Sequence, residues 1–218
     1  MNDPAATPED GPARVLLAGA TGYIGRFVAR ELLRRGHEVV AVVRPTPERD
    51  GRSLHATLAG CTVRTAPLTE RAALAAALEG ERFDAVVSCI ATRSGEPRDA
   101  WRVEHEANGH LLAVAREAGA RRFVLLSAIC VQRPTLAFQH AKLAFEAELQ
   151  ASGLTWSIVR PTAFFKSLAG QVERVRAGKP FLVFGDGRAT ACKPIGEADL
   201  ARYLVDCLHD PALQDRIL

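Results

Sequence analysis

The chain has 218 residues, 48% of them apolar and 24% charged, with a formal charge of +3, which bounds it to one sizeable globular domain, or one domain plus part of another. So mild a charge gives no ground for a nucleic-acid partner, and the basic residues are dispersed among apolar and acidic ones, as in RRGHEVVAVVR at 34–44, rather than drawn into a stripe. No stretch approaches the ~18 consecutive apolar residues of a membrane span, so no integral membrane segment is expected.

Residues 1–13 (MNDPAATPEDGPA) are acidic and lack an apolar run. They read as a disordered lead-in rather than a signal or basic transit peptide. Arg14–Ala18 is a short apolar run expected to form a first strand, followed by Gly19-Ala-Thr-Gly22-Tyr-Ile-Gly25. Phe27–Arg35 carries Val28, Leu32 and Leu33 at helical spacing and ends at Gly36-His37. Glu38–Val43 is a β-branched second strand. Strand, glycine turn, helix and strand together make a βαβ unit.

Residues 45–60 are polar and read as a loop with some helix after it. Further along the chain, Thr62–Arg64 predicts a short third strand, Glu70–Leu78 an alanine-rich helix and Asp84–Ser88 a fourth strand. A helix over Trp101–Ala118, weakened at Gly109, then leads to a fifth strand at Arg122–Leu126. Thr135–Ala151 predicts a helix, and Thr155–Val159 a sixth strand stopped by Arg160-Pro161. This alternation predicts an α/β fold: a doubly wound parallel sheet of the Rossmann kind, with helices on both faces. Residues 14–160 would be the dinucleotide-binding domain.

The pattern changes in 161–218, the expected start of a smaller substrate-side region interleaved with that core. Phe164–Ala177 and Glu197–Leu208 read as helices, Phe181–Val183 and Thr190–Ile195 as short extended pieces, and Gly185-Asp-Gly187 as a turn. The ending Asp215-Arg-Ile-Leu218 reads either as a final strand or as the edge of a truncated chain, and truncation is the expectation. The five cysteines are odd in number and widely spaced, with no metal-ligand cluster, so free thiols and no metal site are expected.

The glycine spacing follows an apolar strand and precedes an amphipathic helix, the context that makes it a nicotinamide-dinucleotide turn. Gly19 permits the tight turn, Gly22 lets the backbone approach a diphosphate, and Gly25 allows the helix to pack closely. Thr21, Tyr23 and Ile24 share the turn. The diphosphate would sit on unpaired amides at the helix N-terminus. The second strand ends at Arg44, where an acid would favour NAD. A planar cation there suits a 2′-phosphate, so NADPH is the expected cofactor, with Arg49 and Arg52 as possible assistants. Ser88, at the end of the fourth strand, is a candidate neighbour of the adenosine or ribose.

On the catalytic side, Ser127 ends the fifth strand and Lys142 lies on the following helix, with Phe138 four residues before the lysine. This resembles the short-chain dehydrogenase/reductase pattern Ser…Tyr-x-x-x-Lys with the tyrosine replaced. The phenyl ring cannot exchange a proton, so alcohol–ketone exchange is disfavoured while reduction of a carbon–carbon double bond remains open. Lys142 would bind the nicotinamide ribose.

Longer segments carry a more specific resemblance. Leu125-Leu-Ser-Ala-Ile-Cys-Val-Gln132, Phe138-Gln-His-Ala-Lys142-Leu-Ala-Phe-Glu146 and Ser157-Ile-Val-Arg-Pro161-Thr-Ala-Phe-Phe165-Lys-Ser-Leu-Ala-Gly-Gln-Val-Glu173 resemble the divinyl chlorophyllide a 8-vinyl-reductase family. So do Phe184-Gly-Asp-Gly187 and Ala191-Cys-Lys-Pro-Ile195. The likeness covers residues 14–218, and the family runs well past this chain's end. It implies an atypical short-chain reductase that uses NADPH to convert the 8-vinyl group of a magnesium-containing divinyl chlorophyllide to ethyl, in chlorophyll or bacteriochlorophyll biosynthesis.

That resemblance maps the family's glycine turn to Gly19, Gly22 and Gly25, its phosphate-side arginine to Arg44 and its lysine to Lys142; within it, Phe138 is no departure. A large flat tetrapyrrole needs a wide apolar pocket, for which Phe138, Pro161, Thr162, Phe164 and Phe165 are the expected wall residues. His140 is either an axial ligand or proton donor, or simply an exposed helical histidine, the second being the expectation. The expected location is cytoplasmic, with transient contact with photosynthetic membranes left open. The rival readings are a related reductase of phenylpropanoid or quinone-like substrates, and an NADPH-holding sensor or assembly protein without turnover.

Overall fold

Three apolar runs supply the centre of the molecule because their residues are buried on both faces, which parallel strands require. In the computed structural model, which describes residues 11–45, 58–92, 94, 96–183, 186 and 193–218, β1 (Arg14–Ala18) lies between β2 (Glu38–Val43) and β4 (Ala85–Ser88). The sheet continues with β3 (Thr62–Thr65) outside β2, and with β5 (Arg122–Leu126), β6 (Thr155–Val159) and β7 (Arg216–Ile217) outside β4. All six pairings among the described strands are parallel, in the order β3-β2-β1-β4-β5-β6-β7. The chain winds outward from β1 to β3, then returns to β4 and winds the other way. This doubly wound Rossmann topology opens a crevice between the carboxyl ends of β1 and β4.

Alternation along β1 sends its side chains to two cores. Val15 and Leu17 pack with Val28, Ala29 and Leu32 of α1 (Gly25–Arg34) and with Leu200, Leu204 and Val205 of α7 (Glu197–Asp206). Leu16 and Ala18 face the other layer. There Leu74 of α2 (Arg71–Ala77), Leu111 and Ala115 of α4 (Ala107–Glu117), and Phe145 and Leu149 of α5 (Ala137–Gln150) close over Phe123. The Phe123 and Phe145 rings lie 5.7 Å apart. Each such large side chain, buried from water, contributes roughly 1.5–3 kcal/mol.

Two expectations change at the helix before β5. It begins earlier, as α3 (Pro97–Ala100), and passes through a π-helical segment at Trp101–Glu106 before α4. Gly109 does not interrupt it: a methyl group there would meet the Glu148 carboxylate at 3.4 Å, so the glycine gives α4 room beside α5.

The strand expected at Phe181–Val183 does not form. That segment follows α6 (Phe165–Arg176), and its Leu182 amide donates to Gln171 of that helix instead of to a neighbouring strand. Ile195 does make an extended contact, a single parallel bridge to Phe164. The remainder of the expected turn at 185–187 and of the piece at 190–195 lies mostly outside the described residues, as do Arg49 and Arg52. Arg216–Ile217 adds a seventh strand to the six expected.

Candidate functional site

The glycine turn is packed so tightly that its residue types are dictated by backbone contacts. Gly19 has φ +79°, and a Cβ there would lie 2.5 Å from the carbonyl oxygen of Cys89 after β4. A Cβ on Gly25 would lie 2.0 Å from the Gly19 carbonyl oxygen. The Gly22 amide donates to that same oxygen at 2.9 Å. α1 then starts with no side-chain cap and no acid in its first turn, leaving its dipole and amides to an anion.

A cavity of about 1050 Å³ opens at this turn and runs over the carboxyl ends of the strands. Gly19, Thr21, Gly22, Tyr23 and Ile24 line one end, with Arg44 after β2, and Ser127 and Lys142 line the floor. Pro161, Thr162 and Phe164, three of the five candidates for a substrate wall, line the cavity. Among the described lining residues there are five cations (Arg26, Arg44, Arg102, Lys142 and Lys166) against two carboxylates, Glu70 and Asp99. A glycine cradle, an uncapped helix start and this charge excess fit an anionic dinucleotide.

Four expected site residues do not line the cavity. Ser88 is fully buried and donates its hydroxyl proton to Asn108 Oδ1 at 2.6 Å, so the strand delivers it beneath the site; Cys89 to Thr92, which follow it, line the cavity instead. Phe165 opens α6 and is 56% exposed, turned to solvent rather than to the wall. Phe138 is half-buried in the first turn of α5 and does not line the cavity, whereas Lys142 one turn later does. Gly25 is likewise absent from the lining, because its part is to seat α1 on the turn. His140 is exposed on α5, and the described residues hold no cluster that could bind a metal ion.

The floor is built from two buried carboxylates. Glu146 on α5, with a side chain 1% exposed, pairs with Arg160 after β6 and accepts the Ser127 hydroxyl proton. Ser127 can therefore accept a hydrogen bond from a bound molecule, but its proton is already committed. Glu104 of the π-helical segment lies behind the wall, with Oε2 2.7 Å from Lys142 Nζ. Its Oε1 accepts from the Thr92 amide at 2.9 Å, and its carbonyl oxygen accepts from Asn108 Nδ2 at 2.9 Å. Nearby, the Cys89 thiol keeps a little surface but is enclosed by protein atoms, and burial pushes it up to about 12.

At the other rim, Tyr23 packs against Phe27 and Phe164 at 6.2 Å, with Lys166 Nζ 4.2 Å from its ring. Asp99 is held below the usual carboxylate range by hydrogen bonds from Ser94 and Thr92, with Arg102 and Arg44 adding to the effect. Arg26, Thr92, Asp99, Arg102, Glu104 and Lys166 are the site residues that sequence reasoning missed. Arg26 directly follows the last glycine of the turn, a usable signal. Thr92 is carried in by the segment that follows β4, and the others are brought in by helix geometry and have no local signature.

Comparison with known proteins bears on this geometry at three levels. A family model described as NAD(P)H-binding matches residues 19–211. The chain is 53% identical over 214 residues to a divinyl chlorophyllide a 8-vinyl-reductase, chloroplastic, of Oryza sativa subsp. indica, covering 94% of this chain and 53% of that protein. It is 49% identical to the Arabidopsis thaliana protein of the same name, covering 97% of this chain and 53% of the relative. The chain thus spans about half the length of these curated relatives. Among solved structures, a UDP-glucose 4-epimerase from Thermotoga maritima superposes with TM-score 0.78 at 18% identity, covering 94% of this chain and 75% of that one. A Bordetella bronchiseptica enzyme in complex with NAD gives 0.77 at 17%, covering 94% and 71%. At such identities the likeness is one of fold. No helix among the described residues is long and apolar enough to cross a membrane.

Proposed function

The chain belongs to the NAD(P)H-binding family, and from that premise we propose that it is an NADPH-dependent reductase acting on the 8-vinyl group of divinyl chlorophyllide a. The observation that carries this reading is the sequence pairing of Lys142, which lines the cavity, with Phe138 in place of the pattern's tyrosine four residues before it, so that no phenolic hydroxyl is supplied there for carbonyl chemistry. The identity of about half to the two plant reductases supports the same substrate.

A bound reduced nicotinamide supplies the hydride; the chain supplies position and field. The turn at Gly19–Gly25 and the start of α1 hold the diphosphate. Arg44 reads the 2′-phosphate. Lys142 holds the nicotinamide ribose, and Ser127 offers an acceptor oxygen on the same floor. Pro161, Thr162 and Phe164 form a wall for a flat apolar substrate, and the developing negative charge is spread over its conjugated ring. The cytoplasmic location belongs to this proposal as well.

Incubating the protein with divinyl chlorophyllide and NADPH deuterated at the transferable position should give monovinyl product with the label in its new ethyl group. Product without label would reject direct transfer, and NADPH binding without product would favour a sensor or assembly protein.

Cofactor choice is separately testable. Arg44→Ala is expected to raise KM for NADPH about 10–100-fold, the value of a charge-assisted hydrogen bond, with KM for NADH nearly unchanged. Equal effects on the two cofactors would sink the assignment of Arg44.

A further inference from the structure

Lys142 projects into the cavity from α5, but the anion that holds it comes from another helix. Its side chain is 9% exposed, and that of Glu104, 2.7 Å away, is 1% exposed. The contact is a buried ion pair, and among the described residues no donor other than Lys142 reaches Glu104 Oε2. Here one oxygen is fixed by the Thr92 amide and the other is given over to the lysine.

The backbone is arranged to make this possible. Glu104 sits in the π-helical segment, whose wider turn moves side chains relative to a regular helix and which recurs at functional sites. The same stretch brings Arg102 and Val103 onto the cavity wall while Glu104 stays behind it. Asn108, itself held by Ser88, pins the Glu104 carbonyl. Other groups around Lys142 do not compete for this role. The Cys89 thiol after β4 is neutral. Glu146, one turn further along α5, is engaged by Arg160 after β6 and by Ser127.

We propose that Glu104 is a positioning residue for Lys142, supplying from the facing helix the oxygen partner that Phe138 cannot provide on the lysine's own helix. Its carboxylate holds the Lys142 ammonium from behind and aims it at the cavity, where it meets the cofactor ribose and the negative charge that hydride addition places on the substrate. The inference rests on the hydride-transfer reading above.

The test is a double-mutant cycle of Glu104→Gln and Lys142→Met, with Glu104→Asp as the conservative variant. Folding is checked by circular dichroism, and each form is scored by NADPH dissociation constant and by kcat. Glu104→Gln should lower kcat about 100-fold, the scale of a misplaced group in an active site, without a comparable rise in the pigment KM. Glu104→Asp should recover part of it. In the Lys142→Met background the Glu104→Gln change should cost nothing further. Independently of turnover, Glu104→Gln should make Lys142 react faster with an amine-acylating reagent at neutral pH, as seen by peptide mass spectrometry.

Additive losses in NADPH affinity, together with unchanged Lys142 acylation, would overturn the role of Glu104. A wild-type protein that binds NADPH but yields no monovinyl product would overturn the substrate reading instead, while the acylation and NADPH-binding arms still judge Glu104. If Glu104→Gln alone fails to fold, a folded double variant would support the pairing, because it removes both charges together; failure of both would overturn it.

Discussion

Gly25→Ala is expected to abolish cofactor binding in a protein that still folds. The new Cβ would lie 2.0 Å from the Gly19 carbonyl oxygen, 2.7 Å from its carbon and 3.0 Å from the Ala20 Cα. All three are backbone atoms, so no side chain can swing away to make room. Either the turn opens or the start of α1 lifts, and both displace the amides meant for the diphosphate. The cores on the two faces of the sheet do not pass through this contact, so the fold should survive with reduced stability. NADPH affinity should fall more than about 100-fold, about 2.7 kcal/mol, measured by nicotinamide fluorescence. Gly170→Ala is the control: a methyl group on that position of α6 meets nothing within 4 Å, and it should leave affinity unchanged. Wild-type affinity in Gly25→Ala would show that the turn is not the diphosphate site.

The largest loss of stability is expected from Arg160→Leu. Arg160 is the charge partner of Glu146, whose side chain is 1% exposed. Removing the guanidinium leaves a buried carboxylate with only the Ser127 hydroxyl as its remaining partner of the two. Breaking a buried pair in this one-sided way costs roughly 3–5 kcal/mol, a large share of a typical domain's stability. It should appear as a lower urea midpoint with an unchanged slope. The paired change Arg160→Leu with Glu146→Leu should recover much of the loss, since two apolar groups then replace two charges. A single variant within about 1 kcal/mol of wild type would mean that Glu146 reaches water or another cation. Because Glu146 also fixes the Ser127 hydroxyl, the single variant should disturb the cavity floor before it unfolds.

The strands around the glycine turn were legible because their signals are local. Parallel strands buried on both faces must be continuous apolar runs, so Leu16, Val40, Val86 and Val124 announce themselves. Gly19 and Gly25 are legible for a similar reason: a Cβ on either would lie within 2.5 Å of a backbone oxygen, so no other residue fits. Arg44 could be placed from the end of β2, and Lys142 from its spacing to Phe138.

What the sequence could not decide was which side of an element a polar residue faces, and what waits for it there. Ser88 ends its strand as expected, but the pleat turns it toward Asn108, twenty positions away, and beneath the cavity. Phe165 follows the wall residue Phe164, yet opens a helix and is turned out. Glu104 carries no motif: only the π-helical turn, absent from any periodicity reading, brings it to Lys142 across 38 positions of chain. Burial and charge pairing are settled between elements distant in sequence, so the glycine turn named the cofactor class, while the tertiary packing selected the residues that line the cavity and those that support them.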